Sequence, residues 1–291
     1  MLEEEKYQRK TAGKTPRSFG SQITVSSSLD SSVCLSINLE STINFSANNG
    51  PDTHIHASQY PNAGVFGKST LLDWLNTYTF PLESSFSNLS KAALIYNRVV
   101  ARTLSHGTTT ACYYATVHVP ATNLLASICQ TRGQRAFVGR VCMDRMSPEY
   151  YRDESVESAV KDSKACIDYV KEIDPEFDMI TPVITPRFAP SCSEAVLAKL
   201  GDLLNETGVP CQTHVSENKA EIALVKELFP EAKSYTHVYD TARLLTPKTI
   251  LAHAVHLSSE ERALIKQRDA KLSHCPASNT CLLYTSPSPR D

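Results

Sequence analysis

The pair of histidines at His54 and His56 is the first feature of the sequence that could do chemistry. The two residues stand in the segment Pro51–Tyr60 and are separated by a single isoleucine. If this segment is a strand, side chains two residues apart project from the same face. Two neutral imidazoles side by side can share one cation, and imidazole is a good ligand for zinc and other borderline metals. Alone, the pair is a weak metal signature, because the chain has nine histidines.

Further along the chain, other polar side chains stand where predicted strands end. His214 and Glu217 follow one such strand, and His253 ends the next. Together with His54 and His56, His214 would give a metal three nitrogen ligands and leave one position open for water. A metal at such a site lowers the pKa of water to around 7. Glu217 could then take a proton from that water and pass it to a substrate.

Each of these residues also has an ordinary structural explanation. A single histidine in a strand is more often a hydrogen-bonded core residue, and a glutamate in the first turn of a helix is favoured by the helix dipole. The metal hypothesis therefore depends on the recurrence of histidines at successive strand ends. The type of zinc deaminase that uses H-x-E with P-C-x-x-C is disfavoured, because the chain contains no C-x-x-C pair.

Composition excludes several classes of protein. The chain has 291 residues, of which 41% are hydrophobic, enough for one large α/β domain or two small ones. A net charge of −2 and the lack of a Lys/Arg stripe argue against nucleic acid or an anionic membrane as the main partner. No apolar run reaches the ~18 residues of a membrane span, and no signal peptide is recognisable. Nine cysteines at irregular spacings are typical of reduced thiols, so we expect a cytoplasmic protein.

Predicted strands and helices alternate from residue 51 onward. The strands, recognised by β-branched and aromatic residues, are a short one at Thr53 and Thr108–Tyr114, Arg135–Cys142, Asp178–Thr185, Val209–Val215, Thr249–His253 and Lys271–His274. The helices, recognised by apolar residues three or four apart, are Leu71–Tyr78, Leu89–Leu104, Ala121–Thr131, Val156–Ile173, one from a capping box at Ser191–Glu194 to Leu204, Asn218–Leu228 and Ser258–Arg268. Trp74 and Tyr78 are assigned to the core.

This alternation favours parallel strands joined by right-handed helical crossovers. We prefer a barrel to a doubly wound sheet, because no glycine-rich phosphate loop follows a strand, whereas polar residues recur at strand ends. The predicted fold class is α/β, a (β/α)8 TIM-type barrel that is incomplete, with about seven strands present and the eighth missing. Residues 51–280 would form it. Residues 1–50 are a poorly defined segment, either the remnant of a β layer or a disordered tail.

Several stretches of the sequence resemble the amidohydrolase superfamily and, within it, the guanine deaminase family. They are DTHIHASQYPNAG at 52–64, WLNTYTFP at 74–81, GTTTACY at 107–113, GQRAFVG at 133–139, TPRF at 185–188, THVSEN at 213–218, AH at 252–253 and HCPASN at 274–279. Many amidohydrolases share D-x-H-x-H and H-C-P-x-S-N. TPRF, GTTTACY and GQRAFVG are much more specific to guanine deaminases.

The resemblance implies a hydrolase of purine catabolism that uses one zinc ion per subunit to deaminate guanine to xanthine and ammonia. It implies that His54, His56 and His214 are the metal ligands, and that His214 also contacts the substrate. It further implies catalytic roles for Glu217, as the proton-shuttling acid/base, and for His253, which would lie near the metal-bound water and the substrate.

The same resemblance implies that Gln59 and Arg187 hydrogen-bond the purine, that Phe188 packs against its ring, and that the enzyme is a homodimer. Two alternatives stay open. One is a related amidohydrolase that deaminates another aminated heterocycle, such as a pterin or a triazine. The other is a non-catalytic scaffold derived from the enzyme, which would act through protein contacts.

The sequence departs from the family pattern at both ends. Asn48–Pro51 stands where the family has an apolar strand leading into D-x-H-x-H. The family's last zinc ligand, an aspartate on strand eight, has no counterpart here, and the tail 281–291 resembles translated sequencing adapter. We therefore expect a truncated chain whose barrel cannot close, with unpaired edges on its first and last strands, and which is inactive as written.

Overall fold

The computed structural model of the protein describes residues 51–63, 65, 71–276 and 278–279. The expectations for residues 1–50 and for the tail 281–291 lie outside these residues.

Strands and helices alternate along the described part of the chain. The strands are β1 (Asp52–His56), β2 (Thr110–Tyr114), β3 (Arg135–Gly139), β4 (Val141–Cys142), β5 (Ile180–Pro182), β6 (Thr185–Pro186), β7 (Cys211–Val215), β8 (Thr249–His253) and β9 (Lys271–Ser273). The helices are α1 (Leu71–Trp74), α2 (Phe80–Ser84), α3 (Leu89–Ser105), α4 (Val119–Thr131), α5 (Val156–Ile173), α6 (Glu194–Thr207), α7 (Lys219–Leu228), α8 (Tyr235–Thr241) and α9 (Ser259–Gln267). None of these helices is long and apolar enough to cross a membrane.

The strands form the wall of a parallel barrel. β1, β2, β3 and β5 pair in chain order, β4 pairs with β6, and β7, β8 and β9 again pair in chain order. Single bridges from Ile184 to Cys211 and from Phe188 to His214 connect the β5–β6 region to β7. Spatial order follows chain order without the reversal that defines a doubly wound sheet. The prediction of an α/β barrel is therefore confirmed, with β3–β4 and β5–β6 each forming one interrupted wall position.

The two outer strands of this wall approach each other through their side chains. Among the described residues, β1 pairs only with β2 and β9 only with β8. The hydroxyl oxygens of Thr53 on β1 and Ser273 on β9 are nevertheless 2.6 Å apart and hydrogen-bonded. The wall therefore curves far enough to bring its first and last strands within side-chain reach.

The core lies on both sides of the wall. Two large clusters fill the space between helices and strands, one around α3, α4 and β2 and the other around α6, α8 and β7. A smaller cluster, made of Cys112, Phe137, Val183 and Ile250, comes from the wall alone and has no helical member. Side chains from several strands that pack on one another are the usual filling of a barrel interior.

Two local predictions are wrong. The N-cap of α6 is Ser193, whose hydroxyl accepts from the N–H of Val196, and not Ser191, whose hydroxyl donates to the Phe188 carbonyl. Tyr78 is 39% exposed and so is not a core residue. A π-helical turn at Leu75–Thr79 contains one extra residue, which rotates the helical face so that Thr79 and Phe80 turn inward instead.

Gly201 lies where α6 packs against the segment that follows α8, so a substitution at this position tests that packing. A Cβ at this position would lie 1.8 Å from the backbone oxygen of Ala242. Unlike a side chain, the backbone of Ala242 cannot rotate away from an added Cβ. We therefore expect Gly201→Ala to lower the free energy of unfolding by about 3 kcal/mol. The matched control is Lys199→Ala on the same helix, because this side chain is 63% exposed. Urea denaturation of both variants measures the difference, and equal midpoints would contradict the packing.

Candidate metal centre and active-site pocket

Three histidine rings meet at the carboxyl ends of β1 and β7. His54 and His56 lie two residues apart on β1, and His214 is the fourth residue of β7. One ligand atom from each ring lies within 4.8 Å of the others, and Nε2 of His56 is 3.0 Å from Nε2 of His214. The ring centroids of His54 and His214 are 4.7 Å apart. His56 and His214 are 158 residues apart in the sequence, and the barrel brings their side chains together at the carboxyl ends of its strands.

The donor set of this trio fits a zinc-type cation. Nδ1 of His214 lies 2.6 Å from the carbonyl oxygen of Arg187 and must donate to it, which leaves the lone pair on Nε2. This lone pair faces the His56 ring. A second hydrogen bond of this kind is the usual way in which a protein fixes the tautomer of a metal-binding histidine. Nitrogen donors that converge on one point suit zinc.

Burial keeps the three imidazoles in the neutral form that a metal requires. Desolvation is the main reason why the pKa of His54, His56 and His214 is lowered well below the usual value for histidine. Repulsion from the neighbouring rings and from Arg187 lowers these pKa values further. The rings therefore need not lose a proton to bind a cation near neutral pH.

Glu217 and His253 lie together beside the metal trio. Oε1 of Glu217 is 3.5 Å from Nδ1 of His253 and accepts a hydrogen bond from the Ser278 hydroxyl at 3.4 Å. Burial raises the pKa of the Glu217 carboxyl to about 7. A carboxyl with this pKa can both take and give a proton near neutral pH. His253 has a positive φ of 69°, and Asn279 holds its ring through a 3.0 Å contact between Oδ1 and Nδ1.

A second set of donors shares one member with the metal trio. Ligand atoms of His54, His253 and Cys275 also lie within 4.8 Å of one another. Burial raises the pKa of the Cys275 thiol to about 11, so this sulfur is protonated at neutral pH in the metal-free protein. The all-imidazole trio is therefore the better cation site of the two.

All predicted site residues line one pocket of about 660 Å³. Arg187 and Phe188 come directly after β5–β6, Gln59 lies in the turn after β1, and all three lie in the wall of this pocket together with the metal trio. Trp74, assigned to the core from sequence, is half-buried and also lines the pocket. A volume of this size suits a small organic ligand.

One residue of the site was missed from the sequence. Glu83 on α2 is completely buried, and its carboxylate accepts from both terminal nitrogens of Arg187, at 2.6 and 3.3 Å. It also accepts from the Gln59 amide at 3.0 Å and from the Tyr151 hydroxyl at 2.8 Å. An acidic residue beside the apolar run Phe80–Leu82 was the available signal, but Arg187 lies 104 residues away in the chain.

Comparison with known proteins agrees with this geometry. The Amidohydrolase family matches residues 50–283. The chain is 54% identical to a probable guanine deaminase of Schizosaccharomyces pombe over 79% of its own length and 44% of the relative's. It is 46% identical to guanine deaminase of Homo sapiens, again over 79% of this chain and 50% of the relative's. The chain thus spans about half the length of the curated relatives it matches.

Solved structures of guanine deaminases also resemble this chain. A crystal structure of guanine deaminase from C. acetobutylicum with bound guanine matches at a TM-score of 0.76 and 39% identity, covering 80% of this chain and 55% of that one. Guanine deaminase of E. coli matches at a TM-score of 0.75 and 34% identity, covering 80% of this chain and 53% of that one. These proteins share the barrel architecture with the chain.

Removal of the His214 imidazole should strongly weaken the binding of zinc. We expect His214→Ala to lower zinc affinity by at least about 100-fold, because substitution of groups that only orient a ligand already costs 10- to 100-fold. The matched control is His237→Ala on α8, whose ring contacts Thr241 and does not line the pocket. Zinc content after dialysis, measured by mass spectrometry, checks both. Retention of a full equivalent by the His214 variant would contradict the metal assignment.

The raised pKa of Glu217 predicts how stability depends on pH. The folded, metal-free protein holds this proton up to about pH 7, whereas the unfolded chain releases it near the ordinary value of 4.5. Stability is therefore lost as pH rises through this window. Because an amide has no proton to lose, we expect the stability advantage of Glu217→Gln over the wild type to grow by on the order of 2 kcal/mol between pH 4 and pH 8.

Chemical denaturation at several pH values measures this growth. Glu227→Gln is the matched control, because Glu227 is exposed on α7. The Glu227 variant is carried through the same pH series, so that the comparison of the two variants isolates the effect of the buried carboxyl. If the free energy of unfolding varied with pH in the same way in the Glu217 variant and in the wild type, the Glu217 carboxyl would not be held protonated in the folded protein.

Proposed function

The chain belongs to the amidohydrolase family, and we propose that the whole protein catalyses the zinc-dependent hydrolytic deamination of guanine to xanthine and ammonia. One observation carries this proposal. Three imidazoles and a buried acid meet an arginine and a glutamine around one pocket. This arrangement occurs in a chain that is about half identical to proteins named guanine deaminase. Placement of guanine catabolism in the cytoplasm fits the described cysteines, which are free thiols.

His54, His56 and His214 would hold the zinc ion, one per subunit. When bound, zinc supplies water activation, since it lowers the pKa of water at such sites to about 7. The hydrogen bond from His214 to the Arg187 carbonyl fixes the ring with its Nε2 lone pair toward the pocket. His54 and His56 present their rings from the same end of β1.

Glu217 would move the protons of the reaction. Hydrolysis forms a bond between the oxygen of water and the ring carbon that carries the amino group, and breaks the bond from that carbon to nitrogen. Glu217 takes a proton from the attacking water and returns it to the departing nitrogen, which leaves as ammonia. A pKa near 7 suits a group that must do both. His253 lies 3.5 Å from the same carboxylate and would orient it and contact the reacting centre.

The other wall of the pocket would bind the purine. Arg187 has donors for a carbonyl oxygen, and Gln59 has an amide that can pair with ring N–H and N groups. Phe188 is buried, with its ring centroid 6.5 Å from that of His214, and would pack against the flat base. His214 would contact the substrate as well as the metal.

We infer a homodimer for the whole protein. Met146 and Tyr150, in the segment before α5, are 44% and 61% exposed. The two positions are four residues apart in the sequence, and exposed apolar side chains in one segment support a subunit contact there. The observations favour neither the pterin or triazine alternative nor the scaffold alternative.

Ammonia release from guanine tests the proposal. We expect the zinc-loaded whole protein to turn over guanine, and Glu217→Gln to lower kcat by about 10²- to 10⁴-fold while it retains zinc. Glu227→Gln, a change of the same chemistry on the exposed face of α7, should keep wild-type activity. Release of ammonia from a pterin or triazine but not from guanine would favour the first alternative, and a folded protein without zinc would favour the scaffold.

A further inference from the structure

Glu83 is a fully buried carboxylate that the reaction above does not use. We propose that it is a positioning and specificity-determining residue. It holds Arg187 and Gln59 as an electrically neutral set of hydrogen-bonding groups, so that the pocket accepts an uncharged 6-oxopurine and disfavours an anionic one. This inference rests on the proposed function, because it concerns how the same pocket selects its substrate.

The Glu83 carboxylate accepts hydrogen bonds from three segments that are distant from it and from one another in the sequence. Arg187 follows β6, Gln59 lies in the turn after β1, and Tyr151 lies in the loop before α5. Their donors reach Glu83 at distances between 2.6 and 3.3 Å, and each of its oxygens accepts two of these hydrogen bonds. A two-point contact between guanidinium and carboxylate fixes the plane and the rotation of the arginine. Glu83 therefore determines where the remaining Arg187 donors point.

The pair also sets the charge of the pocket wall. The Arg187 guanidinium, a cation at any ordinary pH, forms a buried ion pair with Glu83, with 2.6 Å between Nη1 and Oε2 and side-chain exposures of 3% and 0%. Without the Glu83 carboxylate, the cation would be buried without a counter-charge and would attract an anionic ligand. With it, the wall offers donors but no net charge.

Glu83 also decides which way the Gln59 amide faces. An ionised carboxylate can only accept, so Gln59 must turn its amino group toward Glu83. The amide oxygen is then the group left for a ligand, and it can accept from a ring N–H. Glutamine at position 83 could not accept from both neighbours, because one of its two polar atoms is a donor.

Two purines that lack an amino group can be used as inhibitors to separate the effect of ligand charge from the effect of ligand shape. Hypoxanthine is neutral at neutral pH and urate is an anion, and both carry a 6-oxo group. We expect Glu83→Gln to lower kcat/KM for guanine by about 10- to 100-fold, mainly through KM. We expect the ratio of inhibition constants to shift by at least about tenfold in favour of urate. Zinc content should not change, because Glu83 contacts none of the three ligands.

Two further variants isolate the cause. Glu83→Asp keeps the charge but shortens the side chain, so it should raise KM for guanine by about tenfold and keep the wild-type urate to hypoxanthine ratio. Tyr151→Phe removes one hydrogen bond to Glu83 and should also keep this ratio. Glu172→Gln, on the exposed face of α5, is the control and should match the wild type in every measurement.

A wild-type inhibitor ratio in folded Glu83→Gln, or an equal shift in Glu83→Asp, would overturn the inference. If circular dichroism shows that the glutamine variant is unfolded, the aspartate variant decides, and a wild-type KM for guanine in that variant overturns the inference. All of these variants are made in the zinc-loaded whole protein, and if its wild type releases no ammonia from guanine, the proposed function fails by itself. Calorimetric binding of hypoxanthine and urate to the same variants then still tests the role of Glu83.

Discussion

The hydrogen bond from Nδ1 of His214 to the carbonyl oxygen of Arg187, at 2.6 Å, is the contact on which the rest of the site depends. It joins the two sides of the pocket, because Arg187 provides both the carbonyl that orients a candidate metal ligand and the guanidinium that would face the substrate. The backbone fixes its position. Arg187 donates its N–H to the carbonyl of Cys142, and Phe188 forms a bridge with His214. A change in the register between the β5–β6 region and β7 would therefore displace both functions together.

The end of β8 is strained, and the site holds it in place. His253 and Ala254 both have positive φ values, 69° and 52°, which side chains other than glycine rarely adopt. Such a conformation costs of order 1–3 kcal/mol per residue and persists only where surrounding contacts enforce it. Asn279 supplies two of these contacts, one to the His253 ring and one to its carbonyl oxygen, at 3.0 and 3.3 Å. The strained turn aims the ring at Glu217, which a regular strand would not do.

The barrel and the histidine trio could be predicted from the sequence because their signals are local and repeated. α5 and β8 begin and end where periodicity predicts, and parallel strands place their carboxyl ends at one rim, so histidines at strand ends must meet there. The π-helical turn after Trp74 and the role of Glu83 could not be predicted in this way. A π-helical turn changes which residues share a helix face but has no residue pattern of its own. The arginine that binds Glu83 is 104 residues away. Tertiary contacts of this kind leave no local pattern.

Glu217 lines the pocket, whereas Glu83 binds two of its lining residues, Gln59 and Arg187, and the two buried glutamates differ in what surrounds them. Glu83 has a cation and two neutral donors around it, and each of its oxygens accepts two hydrogen bonds. Among the described residues, the Glu217 carboxylate is contacted by the Ser278 hydroxyl at 3.4 Å and by the more distant His253 ring, and burial is the main cause of its raised pKa. A buried ion pair is a poor source of stability, since hydrophobic residues of similar volume often serve as well. The fully paired glutamate therefore suits the proposed role of holding Arg187 and Gln59 in place, and the poorly paired one suits the proposed role in proton transfer.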